Sequence, residues 1–212
     1  MRVSFFKCEK INKNERIDDN MASTIVPVVG LEKLYVAKIL TDDTTTTFDT
    51  PKYLAGVKEI SIKPKVATDE FYAENMLWLS DTTLANIDVE VDITDLTPED
   101  EAMLLGHKIA TEGGIIKSAD DAAPDVAILF KANKGNGKAR YVILYKGKFS
   151  IGDDSYKGKE GKANFQSKKL KASFAPLHSN SMWSYKVDEE DGIDDATFFG
   201  SVIMPTEKVV TP

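Results

Sequence analysis

The sequence is poor in the residues of metal and redox chemistry, with one cysteine, Cys8, and two histidines, His107 and His178, among 212 residues. A lone thiol closes no internal disulfide and builds no cysteine zinc site. Neither histidine has a ligand partner at metal-binding spacing, so both are expected at the surface or at a helix end. Long apolar runs are also missing. The only one near the N-terminus is residues 3–6, followed by Lys7, against the roughly 7–15 residues of a signal-peptide core. No stretch approaches the ~20 apolar residues that carry a helix across a bilayer. The expectation is a chain made in a reducing cytoplasm, with no membrane partner. Catalytic signatures are lacking too. There is no G-x-S-x-G nucleophile elbow. Lys134-Gly135-Asn136-Gly137-Lys138 lacks the spacing of a phosphate loop and is followed by Ala139 where a hydroxyl residue would stand. No enzyme activity, cofactor or metal is expected.

What remains is ordinary for a globular protein: 42% hydrophobic and 29% charged residues, with a net charge of −7. The length suits one domain with arms. Residues 1–20 carry five basic and four acidic residues and little apolar content after Phe6, so they are expected to be a disordered extension; Met21-Ala22-Ser23 would serve as a start of its own. Residues 21–195 are expected to form the β domain and residues 196–212 a C-terminal arm.

The dominant period is two. Ile87, Val89, Val91 and Ile93 alternate with Asp88, Glu90, Asp92 and Thr94, the pattern of a half-buried strand. Tyr141, Ile143, Tyr145 and Phe149 are expected on one face of another strand, with Gly147 in step, and Ile60 and Ile62 begin a third. The unbroken apolar run over residues 126–130 suits a strand buried on both faces. Phe165, Leu170, Ala172 and Phe174, then Trp183, Tyr185 and Val187, add further strand. Asn136-Gly137 suits a type I′ hairpin turn, because both residues tolerate positive φ. One helix stands out: Thr97 caps it, Pro98 takes its first position, Asp100 completes a capping-box-like pattern, and Gly106 ends it. The fold class is therefore mainly β, a β-sandwich or barrel with one flanking short α-helix.

Charge is segregated. Between Asp69 and Glu101 there are eleven acidic residues and no basic ones; between Lys134 and Lys171 there are eleven basic and three acidic. Such blocks either form two solvated faces or meet across a self-association interface. Asp88, Glu90 and Asp92 share one strand face, which reads as a solvated face, a hard-cation site or a charged channel lining. Phe71, Tyr72, Met76, Leu77, Trp78 and Leu79 fall between strand signals without clean alternation. They read as a long apolar loop that must fold onto its own domain or dock on another subunit.

In order along the chain, GLEKLYVAKI (30–39), TPKYLAGVKEISIKP (50–64), IDVEVDITDLTPEDEAMLLGHK (87–108), APDVAILFK (123–131), KARYVILYKGKF (138–149), KANFQSKKLKASF (162–174) and WSYKVDEED (183–191) resemble the major tail proteins of siphoviruses and of prophages of Gram-positive bacteria. The resemblance covers most of the chain from Gly30 onward; the segment over residues 1–20 departs from the family, and no appended immunoglobulin-like domain is expected. It implies a tail-tube fold and a structural virion protein made in the host cytoplasm. Its subunits would form homo-hexameric rings that stack into a tube, a conduit for DNA ejection that binds no DNA specifically. Tape measure, tail terminator and baseplate proteins would be its partners. The apolar loop over residues 68–83 would carry the contact between rings, and Asp88, Glu90 and Asp92 would line part of the lumen. An inner tube of a contractile injection system is a near alternative. A β-sandwich binding carbohydrate or nucleic acid is another; it predicts an exposed aromatic row on one sheet face and a monomer.

Overall fold

The computed structural model describes residues 25–150, 152 and 167–207; the expected extension over residues 1–20 and the strand residue Phe165 lie outside them. Eleven strands, two short α-helices and one 3-10 turn (Glu189–Asp191) make up the described chain: β1 (Val28–Asp42), β2 (Thr46–Phe48), β3 (Lys52–Leu54), β4 (Val57–Ala73), β5 (Met76–Ile93), α1 (Pro98–Leu105), β6 (Lys108–Ile109), β7 (Ile115–Ile116), β8 (Val126–Lys134), β9 (Ala139–Ser150), β10 (Lys168–Ala175), β11 (Ser184–Asp188) and α2 (Asp195–Gly200). The main sheet is antiparallel, in the order β2-β1-β8-β9-β10-β5-β4, with β3 beside β1 and β11 beside β9; β6 and β7 form a separate hairpin.

The sheet curls over its own core. Leu34 and Val36 of β1 share one hydrophobic cluster with Ile87, Val89, Val91 and Ile93 of β5, although these strands stand far apart in the sheet order. Leu104 and Leu105 of α1 close the same cluster. The opposite face of β8 and β9 is covered as well: Leu129, Tyr141, Ile143 and Tyr145 pack with Val187, Phe198 and Phe199 in a second cluster. Two covered faces are why residues 126–130 are apolar without a break. The mainly β sandwich with a flanking helix is thus as the alternation implied, and α2 is a second helix that its six residues were too few to announce.

α1 begins and ends where its chemistry dictates. The Thr97 hydroxyl accepts from the Asp100 N–H at 3.2 Å and donates to the Asp100 carboxylate at 2.8 Å. Gly106 closes the helix in the left-handed region at φ 76°, its N–H donating to the Ala102 carbonyl.

Three local expectations are corrected. Phe149 does not share a face with Tyr141, Ile143 and Tyr145. The β8–β9 ladder slips between the Ile128–Leu144 and Val126–Gly147 pairs. That bulge reverses which face each side chain takes, so Gly147 lies against the Phe174 ring and Phe149 joins the first core. In the β8–β9 turn only Gly137 has positive φ, at 79°. The Gly137 N–H donates to the Lys134 carbonyl and the Lys134 N–H to the Lys138 carbonyl, so the connection is a tight turn followed by a left-handed glycine. Finally, residues 71–79 are not a loop: β4 and β5 continue through them as paired strands.

The second core is closed by acidic residues at the end of β11 and beyond it. Arg140 holds Asp188 through Nε at 2.7 Å and Nη2 at 2.9 Å, and Lys134 Nζ reaches the same carboxylate at 2.7 Å. Asp195 accepts from Lys33 at 2.6 Å and from the Tyr141 hydroxyl at 2.6 Å, with Lys131 at 3.1 Å. Burial by itself would raise Asp195, but hydrogen bonds from Lys33, Tyr141 and Lys131 outweigh it and bring the group down to about 2. A carboxyl depressed on folding stabilises the native state above its unfolded value near 3.8 and stops doing so as pH falls through its folded value. Unfolding by urea is therefore expected to become easier between about pH 4 and pH 2. Because the side chain is one-third exposed, the Asp195 share is set at about 1 kcal/mol after solvent screening. Asp195→Asn should be less stable than the parent at pH 6 and should flatten that part of the profile. An unchanged pH profile in the variant would refute the assignment.

Candidate functional site

Two surfaces on β4 and β5 hold the residues singled out by the sequence. The first is the solvent-facing side of their proximal halves. Ile87, Val89, Val91 and Ile93 point into the core and are almost fully buried, which turns Asp88, Glu90 and Asp92 outward, since strand side chains alternate. These carboxylates do not form a bare acidic face. Lys65 Nζ lies 2.6 Å from Asp88 and Lys63 Nζ 3.0 Å from Glu90, both from β4. On the other side, β10 places Lys169 across from Asp92, Lys171 across from Glu90 and Ser173 across from Asp88. Glu59 stands opposite Asp92 on β4. Hydrogen bonds from Lys65 and Lys63 hold Asp88 and Glu90 below the usual carboxylate range. Glu59, Asp88, Glu90 and Asp92 are thus interleaved with Lys63, Lys65, Lys169 and Lys171, and the face is close to neutral. Glu59, Ser61, Glu90, Asp92, Lys169 and Lys171 border an open depression of about 300 Å³ on it.

This arrangement also corrects the reading of the two charge blocks. They meet in part inside one subunit, because β10 of the basic block pairs with the body half of β5, while Asp69, Glu70, Glu74 and Asp81 of the acidic block stay on the distal half of the β4–β5 ribbon. Lys168 reaches Glu101 at 2.7 Å in the same way.

The second surface is the distal half of the β4–β5 ribbon. From Thr83 to the tip and back to Val66, neither face is packed on the body, and nearly every residue is exposed. About 3.3 Å per residue makes this an arm projecting roughly 25 Å. Its turn, Glu74–Asn75, has both residues left-handed at φ 53° and 62°, the backbone of a type I′ turn. The type I′ geometry expected at Asn136-Gly137 is therefore found here. The ladder slips between the Phe71–Leu79 and Tyr72–Leu77 pairs, leaving Trp78 as the extra residue of a bulge. Phe71, Tyr72, Met76, Leu77, Trp78 and Leu79 are all more than half exposed, Trp78 the most at 67%. Asp69 pairs directly with Asp81 across the ribbon, an arrangement that disfavours the isolated arm. A free two-stranded ribbon is marginal in water, and so large an apolar patch on one is a mark of contact with another molecule.

Three features were not read from the sequence. One is the acidic clasp of Asp188 and Asp195, signalled only by the density of acidic residues after Val187. Another is the pair His107–Asp121, 2.6 Å apart with both side chains buried, so His107 sits at a helix end but not at the surface. Hydrogen bonds from the Ser118 N–H and from His107 hold Asp121 below the usual carboxylate range. The third is the exposed hairpin β6–β7. Among the described residues, no group of three or more His, Cys, Asp or Glu is placed to hold a metal ion.

The family model described as phage tail tube protein matches residues 40–164, more than half of the chain and including the whole of β4, β5, α1 and β8. No curated protein matches the sequence.

Proposed function

Because the chain belongs to the phage tail tube protein family, a structural component of the virion tail, we propose that it is the ring-forming subunit of a tube through which DNA leaves the particle. Its subunits form homo-hexameric rings, and the rings stack into the tube. Tape measure, tail terminator and baseplate proteins meet the tube along its length and at its ends, and the subunit is made in the host cytoplasm before assembly. The arm carries this reading: an apolar tip of six residues on a ribbon exposed on both faces requires cover. The exposed aromatics Phe71, Tyr72 and Trp78 cluster at that tip and do not form a row along one sheet face, which favours assembly over a carbohydrate or nucleic-acid platform. In this reading the arm is the contact between stacked rings, with Trp78 as its anchor.

The face of Asp88, Glu90 and Asp92 is the proposed lumen lining. Its interleaved lysines alter how such a wall acts on DNA. Duplex DNA carries one negative charge per roughly 1.7 Å of axis. A wall of unpaired lysines would hold it, whereas a lattice with a carboxylate beside each lysine offers phosphates little net attraction, and salt screens what is left beyond ~8 Å. DNA can then slide past without specific binding.

Negative-stain microscopy and sedimentation of the purified protein test the assembly: rings or tubes are expected at high concentration, and a strict monomer at all concentrations and salts overturns it. A structure of the assembled tube tests the lining. Carboxylates at positions 88, 90 and 92 on the outer surface of the tube would end that assignment.

A further inference from the structure

We propose that the β6–β7 hairpin is the seat on which the arm tip of a second copy of this chain docks. The proposal rests on the reading of the arm as the contact between rings and adds where on the neighbour it lands.

The hairpin is a fixed mount with apolar residues left uncovered. Ile109 and Ile116 are 59% and 52% exposed. Ile109 pairs with Ile115 and Ile116 with Lys108, so the two exposed isoleucines lie on opposite faces of the hairpin. Strands of two residues do not hold themselves together in water; this hairpin is held from its base. Lys117 is paired to Glu101 of α1 at 2.9 Å, and His107 to Asp121 at 2.6 Å. Gly106 packs so closely that a Cβ there would collide with the Ala122 carbonyl. The fold thus fixes the hairpin while excluding Ile109 and Ile116 from both cores.

Its place in the fold has the polarity that stacking needs. β5 starts at the arm tip with Met76 and ends in the body at Ile93; α1 and then β6–β7 follow directly. Its 18 residues span roughly 55 Å at about 3.3 Å per residue. Lys168, paired in register with Ile93, holds Glu101 of α1, and the same Glu101 holds Lys117, so the hairpin base lies at the Ile93 end of β5, opposite the apolar tip. A head-to-tail contact requires two different patches facing opposite ways, and it repeats without limit when they meet. Residues 66–84 hold Asp69, Glu70, Glu74 and Asp81 and no basic residue, and the exposed Lys108 of β6 stands beside Ile109 to meet them.

The test uses the full chain with Cys8, its one cysteine, replaced by serine. Glu74→Cys at the arm turn and Glu112→Cys at the hairpin turn, in one chain, replace two exposed side chains. Mild oxidation of assembled protein is expected to give a ladder of cross-linked multimers; dissociated protein should give none. Separately, Ile109→Asp with Ile116→Asp should weaken stacking at least about tenfold, as loss of an interface anchor does, while rings still form. Because the contact is heterologous, mixing this variant with Trp78→Ala should yield paired rings and no long tubes: one partner retains the tip and the other the seat. If Trp78→Ala stops growth but the isoleucine variant elongates normally and the cysteines do not cross-link, the seat is wrong and the arm reading stands. If Trp78→Ala also elongates normally, both fail. Should the isoleucine variant not fold, the cysteine pair decides alone.

Discussion

Trp78→Ala is expected to leave the subunit folded and to stop tube growth. Its side chain is 67% exposed at a bulge near the arm tip, far from either core, and substitutions at such positions usually change stability by no more than about 0.5 kcal/mol. By calorimetry Tm should therefore move by no more than about 2 °C. The contact between rings is another matter. A large aromatic in the middle of an apolar patch is the residue type that dominates interfaces, and its truncation typically costs about 2–4 kcal/mol per contact. In the proposed tube every subunit of every ring makes that contact, so microscopy should show single rings or short stacks where the parent is expected to give tubes. A variant that loses cooperative unfolding would mean Trp78 is covered by its own subunit, and the arm would lose its role.

Phe198→Ala is expected to be the most damaging single change outside the main core. Phe198 is fully buried, its ring 4.7 Å from that of Tyr141 and 5.1 Å from that of Phe199. Phe199 in turn stacks on Tyr35 of β1 at 4.2 Å. Removing a buried phenylalanine costs about 3–5 kcal/mol, through lost transfer energy and the cavity left behind. At about 2–4 °C per kcal/mol, the midpoint should fall by roughly 6–20 °C. Such a loss would mark α2 as part of the fold, holding the outer face of β9 covered. A fall of only about 1 °C would instead mean that residues beyond Asp195 form an arm that unfolds by itself.

Both expectations turn on the difference between what a chain segment is and what it packs against. Local rules were sufficient for much of the fold. The alternation of Ile87, Val89, Val91 and Ile93 marked β5 and its outward carboxylates, because a strand has only two faces. The Thr97-Pro98 start and Gly106 stop bounded α1, because capping chemistry acts within one turn of chain. The unbroken run at residues 126–130 marked β8 as covered on both sides, though not by what: α2, seventy residues later, supplies part of that cover. Where the expectations failed, a distant partner intervened. Phe149 changed face because the β8–β9 ladder slips by one residue, and register belongs to a pair of strands. Asp88, Glu90 and Asp92 read as one acidic strand face, but the charge around them is set by lysines of β4 and β10 on either side. The apolar residues 71–79 lost their alternation because a ribbon projecting into solvent has no inner face to enforce it.

By itself, then, the sequence determined the class of the molecule: a β-rich chain with no apolar stretch long enough for a membrane-crossing helix, one capped helix, and an apolar segment in search of cover. Those follow from period, capping and composition, which are properties of neighbours along the chain. Only the tertiary structure decided that this segment is an arm exposed on both faces, that Asp88, Glu90 and Asp92 are interleaved with lysines of the adjacent strands β4 and β10, and that Asp188 and Asp195 clasp the C-terminal segment onto the outer face of β8 and β9. Each of these depends on which residues distant in sequence are brought within a few ångströms. Hydrogen bonds and ion pairs act over that range whatever the separation along the chain, so no local pattern could have contained them.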